Sequence, residues 1–293
     1  MIDLAALHST PLLADGSVGN DLHGRCAGRA IPVEALNQED PEAVRAVHKA
    51  YADAGAQLLR TNTAQANALA LAAYGLADRA EGLNNSASAL ARTASQSGGV
   101  VMGALAPPPE SLGTESPGTS VMGTAQCERA YGEQIIYLTD TGVDFFLLEH
   151  FSRLGDATRI TDQIKRISDA PVLAQLKLDA TGRTAEGTSA SEAAAALVDA
   201  GADALGLSCA PGMRELAALA EALLRQGVPV SVMPGIRRQG RPAPYRGAPL
   251  LSPAAFAAAL APLGRMGVTI LGGCCGVTPL HIRALAEALQ SES

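Results

Sequence analysis

The 293-residue chain has no tryptophan, and Phe and Tyr together make up only 3% of it. Cysteine is scarce as well, at five residues, which is no disulfide framework and points to a reducing, cytoplasmic setting. The start Met-Ile-Asp-Leu-Ala-Ala-Leu-His lacks the basic opening and cleavage pattern of a secretory leader. No apolar run reaches the roughly 18 residues that a membrane-spanning helix needs. Positive charge is in deficit, with 22 Lys and Arg against 29 Asp and Glu and a net charge of −7. That balance argues against nucleic acid and against anionic membrane surfaces as partners. There is no G-x-G-x-x-G phosphate loop, no Ser-His-Asp or paired-carboxylate signature, no linker and no low-complexity tract. The expectation left standing is a single domain over residues 1–293 that handles small molecules.

What is present is regular. Apolar residues make up 47% of the chain, and short apolar runs alternate with helix-period segments about eight times. Strands are expected at Pro11–Asp15, Leu58–Asn62, Val100–Leu105, Asp144–Glu149, Pro171–Leu178, Ala202–Cys209, Val228–Met233 and Val268–Cys274. The clearest helical patterns are Pro41–Ala54, Thr124–Thr141, Ser189–Ala200, Met213–Gln226 and Ser252–Met266, several of them closed by a glycine. Alternating β and α with continuously apolar strands means a parallel sheet. Eight strands in a chain of this length favour a single (β/α)8 TIM barrel, with its active site at the C-terminal ends of the strands. Asp15, Thr61, Glu149, Cys209, Cys274 and Cys275 all fall at such ends. Two Gly- and Pro-rich loops on the same side, 106–123 and 234–251, are long enough to act as lids. The second carries Arg237, Arg238, Arg241 and Arg246.

The stretch with the most chemistry is Val268-Thr-Ile-Leu-Gly-Gly-Cys-Cys-Gly-Val-Thr-Pro. Adjacent residues of a regular strand face opposite ways, so both thiols can face one ion only if the backbone bends there, and the flanking glycines permit that. Packing alone would place Ala at these positions. Metal ligation, a vicinal disulfide or a redox pair remain. Cys209, closing the run Ala202-Asp-Ala-Leu-Gly-Leu-Ser, offers a third thiolate. Three thiolates at the ends of two strands suit Zn²⁺ with one position open. Cys26 and Cys127 have no ligand-like context. Glu149 closes the apolar run Phe145-Phe-Leu-Leu, where a carboxylate needs a partner: a substrate ammonium, or a buried Arg. His48 reads as structural.

Gly272-Gly-Cys-Cys-Gly with Cys209 upstream resembles the zinc-dependent homocysteine S-methyltransferase family. So do Leu13-Ala-Asp-Gly-Ser-Val-Gly-Asn-Asp-Leu, the unit from Pro41 to Asn67 with Thr61-Asn-Thr, and the segments around Glu149 and Cys209, in the family's order. The resemblance implies a methyltransferase of methionine biosynthesis that carries one Zn²⁺ per chain on Cys209, Cys274 and Cys275. It implies that Asp15 and Glu149 hold the homocysteine ammonium and that the Gly16 and Ser17 amides take its carboxylate. Thr61 and His150 would line the same pocket. The donor would be a small onium compound of the S-methylmethionine or betaine type, and a homo-oligomer stays open. Alternatives are a barrel that activates the thiol for a separate methyl-corrinoid protein, a different thiol or selenol acceptor, and a zinc barrel that only binds. Three positions depart from the family pattern. His150 stands where betaine users carry Tyr, Ser208 replaces an Asn before the Cys, and Met233-Pro-Gly replaces a Pro-Asn-Ala-Gly-like stretch.

Overall fold

A computed structural model of the chain describes residues 11–95, 98–108, 124–209, 212–236 and 251–291. Eight strands make one parallel sheet: β1 (Leu12–Leu13), β2 (Leu58–Arg60), β3 (Val100–Leu105), β4 (Phe145–Phe151), β5 (Val172–Leu176), β6 (Ala204–Ser208), β7 (Val230–Met233) and β8 (Ile270–Leu271). Their order is β1-β8-β7-β6-β5-β4-β3-β2. An Ala14–Leu58 bridge joins the two edges and makes the sheet a barrel. The helices that follow the strands are α1 (Pro41–Asp53), α2 (Ala80–Ala94), α3 (Ala125–Asp140), α4 (Leu154–Ile167), α5 (Ala190–Asp199), α6 (Leu216–Leu224), α7 (Pro253–Arg265) and α8 (Pro279–Ser291). This is the (β/α)8 barrel that the alternation predicts. The order follows from chain physics, because parallel neighbours need a crossover and a helix returning over a twisted strand packs only one way.

Caps set the helix starts. Asp40, Thr124 and Ser252 each accept the backbone N–H three residues on, with Pro at the first position of α1 and α7. Ser189 and Glu192 form a reciprocal capping box on α5. The neighbouring strands β1 and β8 are only two residues long each, shorter than the apolar runs suggest. Just past Leu13 and Leu271 the backbone still bonds to neighbouring strands, with the Ala14 N–H on Leu271 O, the Asp15 N–H on Leu58 O and the Gly272 N–H on Val232 O. From Gly273 on the chain enters the mouth, and the Gly273 and Cys274 N–H groups donate to Asp15 O and Pro234 O.

Two apolar layers hold the fold. Strand residues of one parity, among them Leu58, Met102, Phe145, Leu147, Leu173, Met233 and Ile270, fill the barrel interior. Residues of the other parity, such as Leu59, Phe146, Leu148, Leu205 and Val232, pack outward against the helices. Full burial of each such side chain contributes roughly 1.5–3 kcal/mol. The parity also sets where polar residues point. Arg60 follows Leu58 by two, and Glu149 follows Phe145 and Leu147, so both continue the inward row at the C-terminal end. Among the described residues no helix is long and apolar enough to cross a membrane. Of the two lid loops, residues 109–123 and 237–250, with the four arginines, lie outside the described residues.

Candidate active site

The thiols meet at the mouth. The Cys209 Sγ lies 2.8 Å from the Cys274 Sγ and 3.5 Å from the Cys275 Sγ, and the last two are 3.8 Å apart. Cys274 and Cys275 achieve this because they lie beyond β8, inside a tight turn closed by Val277 N–H on the Cys274 carbonyl at 3.0 Å. Gly276 takes φ 86° at the third position of that turn, a conformation that costs little only for glycine. The predicted bend between the two thiols is therefore a β-turn. Pro234 O accepts the Cys274 N–H at 3.0 Å, and Cys275 O accepts the Ile236 N–H at 2.8 Å, so the chain after β7 braces the pair from the other side.

His150 joins the thiols. Its Nε2 is 3.7 Å from the Cys274 Sγ, and one donor atom from each of His150, Cys209, Cys274 and Cys275 falls within 4.8 Å of the others. Sequence reasoning gave this histidine to the substrate pocket and missed it as a donor to the metal group. A backbone irregularity delivers it. The β4–β5 register slips between Leu148 and Phe151, His150 takes φ 66°, and its N–H donates to the Ser208 hydroxyl at 3.1 Å. Ser208, one of the departures from the family pattern, thus pins the bulge. Cys209 also has positive φ, at 48°. His150 and Cys209 are the two described non-glycine residues in the left-handed region, and both belong to this cluster. Strain of this kind persists where the surroundings over-determine a functional geometry. Hydrogen bonds from Cys209 and Cys275 hold the Cys274 thiol well below the usual thiol range, whereas donating to Cys274 pushes Cys209 well above it. Three sulfurs and an imidazole in one small volume, with one thiol biased to thiolate, suit a single zinc ion.

Below the thiols sits a buried ionic clasp. Arg60 Nε donates to Asp15 Oδ1 at 2.7 Å, Nη1 to Glu149 Oε2 at 2.6 Å, and Nη2 to the Gly273 carbonyl at 2.7 Å. The Arg60 N–H also donates to Asp15 Oδ2 at 2.9 Å. Burial raises the Asp15 carboxyl to about 6, with Arg60 pulling the other way. Of the two partners foreseen for Glu149, the buried Arg is present. Asp15, expected at the substrate ammonium, is fully buried, accepts from Arg60 at both oxygens and is not among the residues lining the cavity.

The cavity, about 150 Å³, is lined by Ser17, Glu34, Arg60, Thr61, Glu149, His150, Cys274 and Cys275 among others. Gly16 is not among them. A Cβ on Gly16 would stand 2.7 Å from Val277 O and 2.8 Å from the Tyr51 ring, so glycine is there for close packing. The Ser17 N–H, expected to take the substrate carboxylate, donates here to the Tyr51 hydroxyl at 2.9 Å and to Val277 O at 3.1 Å. Thr61 reaches the cavity, but its hydroxyl is 2.6 Å from the Thr63 hydroxyl and accepts the Ala104 N–H. Glu34, which the sequence did not single out, lines the cavity with its carboxyl raised by burial and Oε1 accepting the Gln65 N–H. His48, read as structural, is fully buried in α1, and burial lowers its imidazole to about 4.

Gly273 links clasp and thiols, and a Cβ there would overlap the Val277 side chain that closes the turn. Gly273→Ala should cost about 1–3 kcal/mol as overpacking and prise the Cys274–Cys275 pair from Cys209. Thermal melts and metal analysis on the same preparation check this. A variant that keeps both melting temperature and zinc would show the turn to be pliant.

Comparison with known proteins agrees with this geometry. A family profile described as homocysteine S-methyltransferase matches residues 12–289. The methionine synthase of Mycobacterium tuberculosis is 31% identical over 98% of this chain, which spans only 25% of that protein's length. Betaine–homocysteine S-methyltransferase 1 of Bos taurus is 27% identical over 91% of this chain and 68% of its own. The metallated crystal structure of the homocysteine methyltransferase MmuM from Escherichia coli superposes with a TM-score of 0.76, covering 97% of each chain at 24% identity, which bears on the fold. With the profile covering nearly the whole barrel, thiol cluster included, the chain belongs to the homocysteine S-methyltransferase family.

Proposed function

We propose that this chain is a zinc-dependent S-methyltransferase that moves a methyl group from a small onium donor to homocysteine, giving methionine. The observation that carries the reading is the convergence of Cys209, Cys274, Cys275 and His150 on one cavity that also receives Glu149. The three cysteines would hold the ion, with His150 beside them at the position a substrate thiol must reach. Zinc bound there supplies a Lewis acid that keeps a thiol deprotonated at neutral pH.

The chain's own residues do the rest. Every described hydrogen bond of Glu149 uses Oε2, so Oε1 is available to a substrate ammonium. Ser17, at the cavity wall, offers a hydroxyl to the carboxylate. Asp15 acts on the ammonium only through Arg60. The onium donor is a cation, and Glu34 and Glu149 make the cavity favourable to it. The methyl group passes in line from onium to sulfur and the donor leaves neutral, so no general base is required.

Residues 1–293 would form one homocysteine-binding barrel acting in the cytoplasm, and the net charge of −7 argues against nucleic acid and anionic membranes as partners. Self-association into a homo-oligomer fits this reading equally. A second reading has its own support, because the chain spans a quarter of the methionine synthases it matches. In that reading the barrel activates homocysteine for a separate methyl-corrinoid protein.

The test is to incubate the zinc-loaded protein with homocysteine and either S-methylmethionine or betaine and read methionine by mass spectrometry. Methionine formed by the isolated protein supports the first reading. Turnover only after adding a methyl-corrinoid protein supports the second. Binding of thiols with no turnover under either condition would leave a zinc barrel that acts by binding alone.

A further inference from the structure

Arg60 is 5% exposed and bonded to three strand ends at once. Its guanidinium holds Asp15 of the segment after β1, Glu149 of β4 and the Gly273 carbonyl after β8, and its Nη2 is 3.5 Å from the Met233 Sδ of β7. A carboxylate beside an arginine fork is fixed in direction, because the planar donors allow few geometries. The charges also count. Asp15 and Glu149 bring two negatives and Arg60 one positive, which leaves one net negative charge in the clasp. Asp15 is fully buried and not among the cavity's lining residues, whereas Glu149 lines the cavity and spends Oε2 on Arg60, so the surplus charge falls to Glu149.

We propose that Arg60 is a positioning residue that sets the amino-acid selectivity of the site, by aiming Glu149 Oε1 at the cavity and leaving the clasp one net negative charge to take one ammonium group. This rests on the reading of the substrate as a thiol amino acid. Arg60 has its Nε, Nη1 and Nη2 donors committed to Asp15, Glu149 and the Gly273 carbonyl, so it acts on the substrate through Glu149. Removing Arg60 alone would leave two carboxylates buried without their cation and would endanger the fold. The informative variant is therefore Arg60→Gln combined with Asp15→Asn, which keeps Glu149 as the single net negative charge and abolishes only the fork. Arg60→Lys is its companion, since it keeps the charge of Arg60 but not the planar geometry.

The experiment titrates zinc-loaded wild type and both variants with homocysteine and with 4-mercaptobutyrate, the same thiol acid without the amino group, by calorimetry at matched zinc content. Wild type should prefer homocysteine. In both variants homocysteine affinity should fall by about tenfold or more, the size of a lost charge-assisted hydrogen bond, while 4-mercaptobutyrate changes less than about twofold, so the preference collapses. A purely structural role would weaken both thiols together and would overturn the assignment, as would a homocysteine preference left intact in the double variant. Wild type that binds the two thiols equally would instead sink the amino-acid reading itself, and the role of Arg60 with it.

Discussion

Cys274→Ser protein should be isolated with roughly a tenth or less of the wild-type zinc, since changes one sphere further out already cost 10–100-fold in metal affinity. Cys274 is the centre of the thiol group, within 3.8 Å of both other sulfurs and 97% buried. A serine hydroxyl there stays protonated and offers a hard oxygen where zinc prefers soft thiolate. Cys209→Ser should behave alike, and methyl transfer should be lost in both. Cys26→Ser, outside the cluster, should keep its metal. His150→Ala should also keep most of its zinc, because three thiolates remain and the imidazole occupies the position a substrate must enter. Metal analysis of the purified variants is the check. Full zinc occupancy in the Cys274→Ser protein would remove the ligand assignment, and with it the proposed chemistry.

Glu149→Gln should keep the fold and the metal while weakening homocysteine by about ten- to a hundredfold, corresponding to a charge-assisted hydrogen bond of roughly 1.5–3 kcal/mol. The arginine clasp places the effect toward the upper end. Arg60 Nη1 approaches Glu149 Oε2 at 2.6 Å and requires an acceptor there. A glutamine would turn its carbonyl to Arg60 and its NH₂ to the cavity, a donor facing the substrate's ammonium. Comparing homocysteine with 4-mercaptobutyrate isolates the contact, because the second thiol has no ammonium to lose. An equal loss for both would give Glu149 another task, such as holding the barrel mouth or the donor's cation.

Much of the site was legible because its signals are local. The Gly272-Gly-Cys-Cys-Gly run names a backbone that must bend between two thiols, and the structure supplies the turn at Cys274–Val277. Strand-end polarity placed Cys209, Glu149 and Thr61 at the mouth for the same reason. Arg60 was missed although its signal was present. It follows the inward-facing Leu58 by two residues, so the parity that aims Glu149 inward also aims Arg60 at it. Reading β2 for its terminal Thr61-Asn-Thr alone hid that relation.

By itself the sequence determined the alternation of strands and helices, the barrel, the caps and the identity of the three thiols. These depend on periodicity, on capping chemistry between neighbours in the chain, and on residue types that packing does not ask for. Only the tertiary structure decided that Asp15 is spent on Arg60, that the Ser17 amide is taken by Tyr51, and that His150 enters the thiol cluster. Each of those outcomes turns on partners about 30 to 60 residues away in the chain (Arg60 for Asp15, Tyr51 for Ser17, Ser208 for His150) and on a one-residue slip between β4 and β5. A shift of one position sends a side chain from one face of a strand to the other, and no local pattern in this sequence records where that slip occurs.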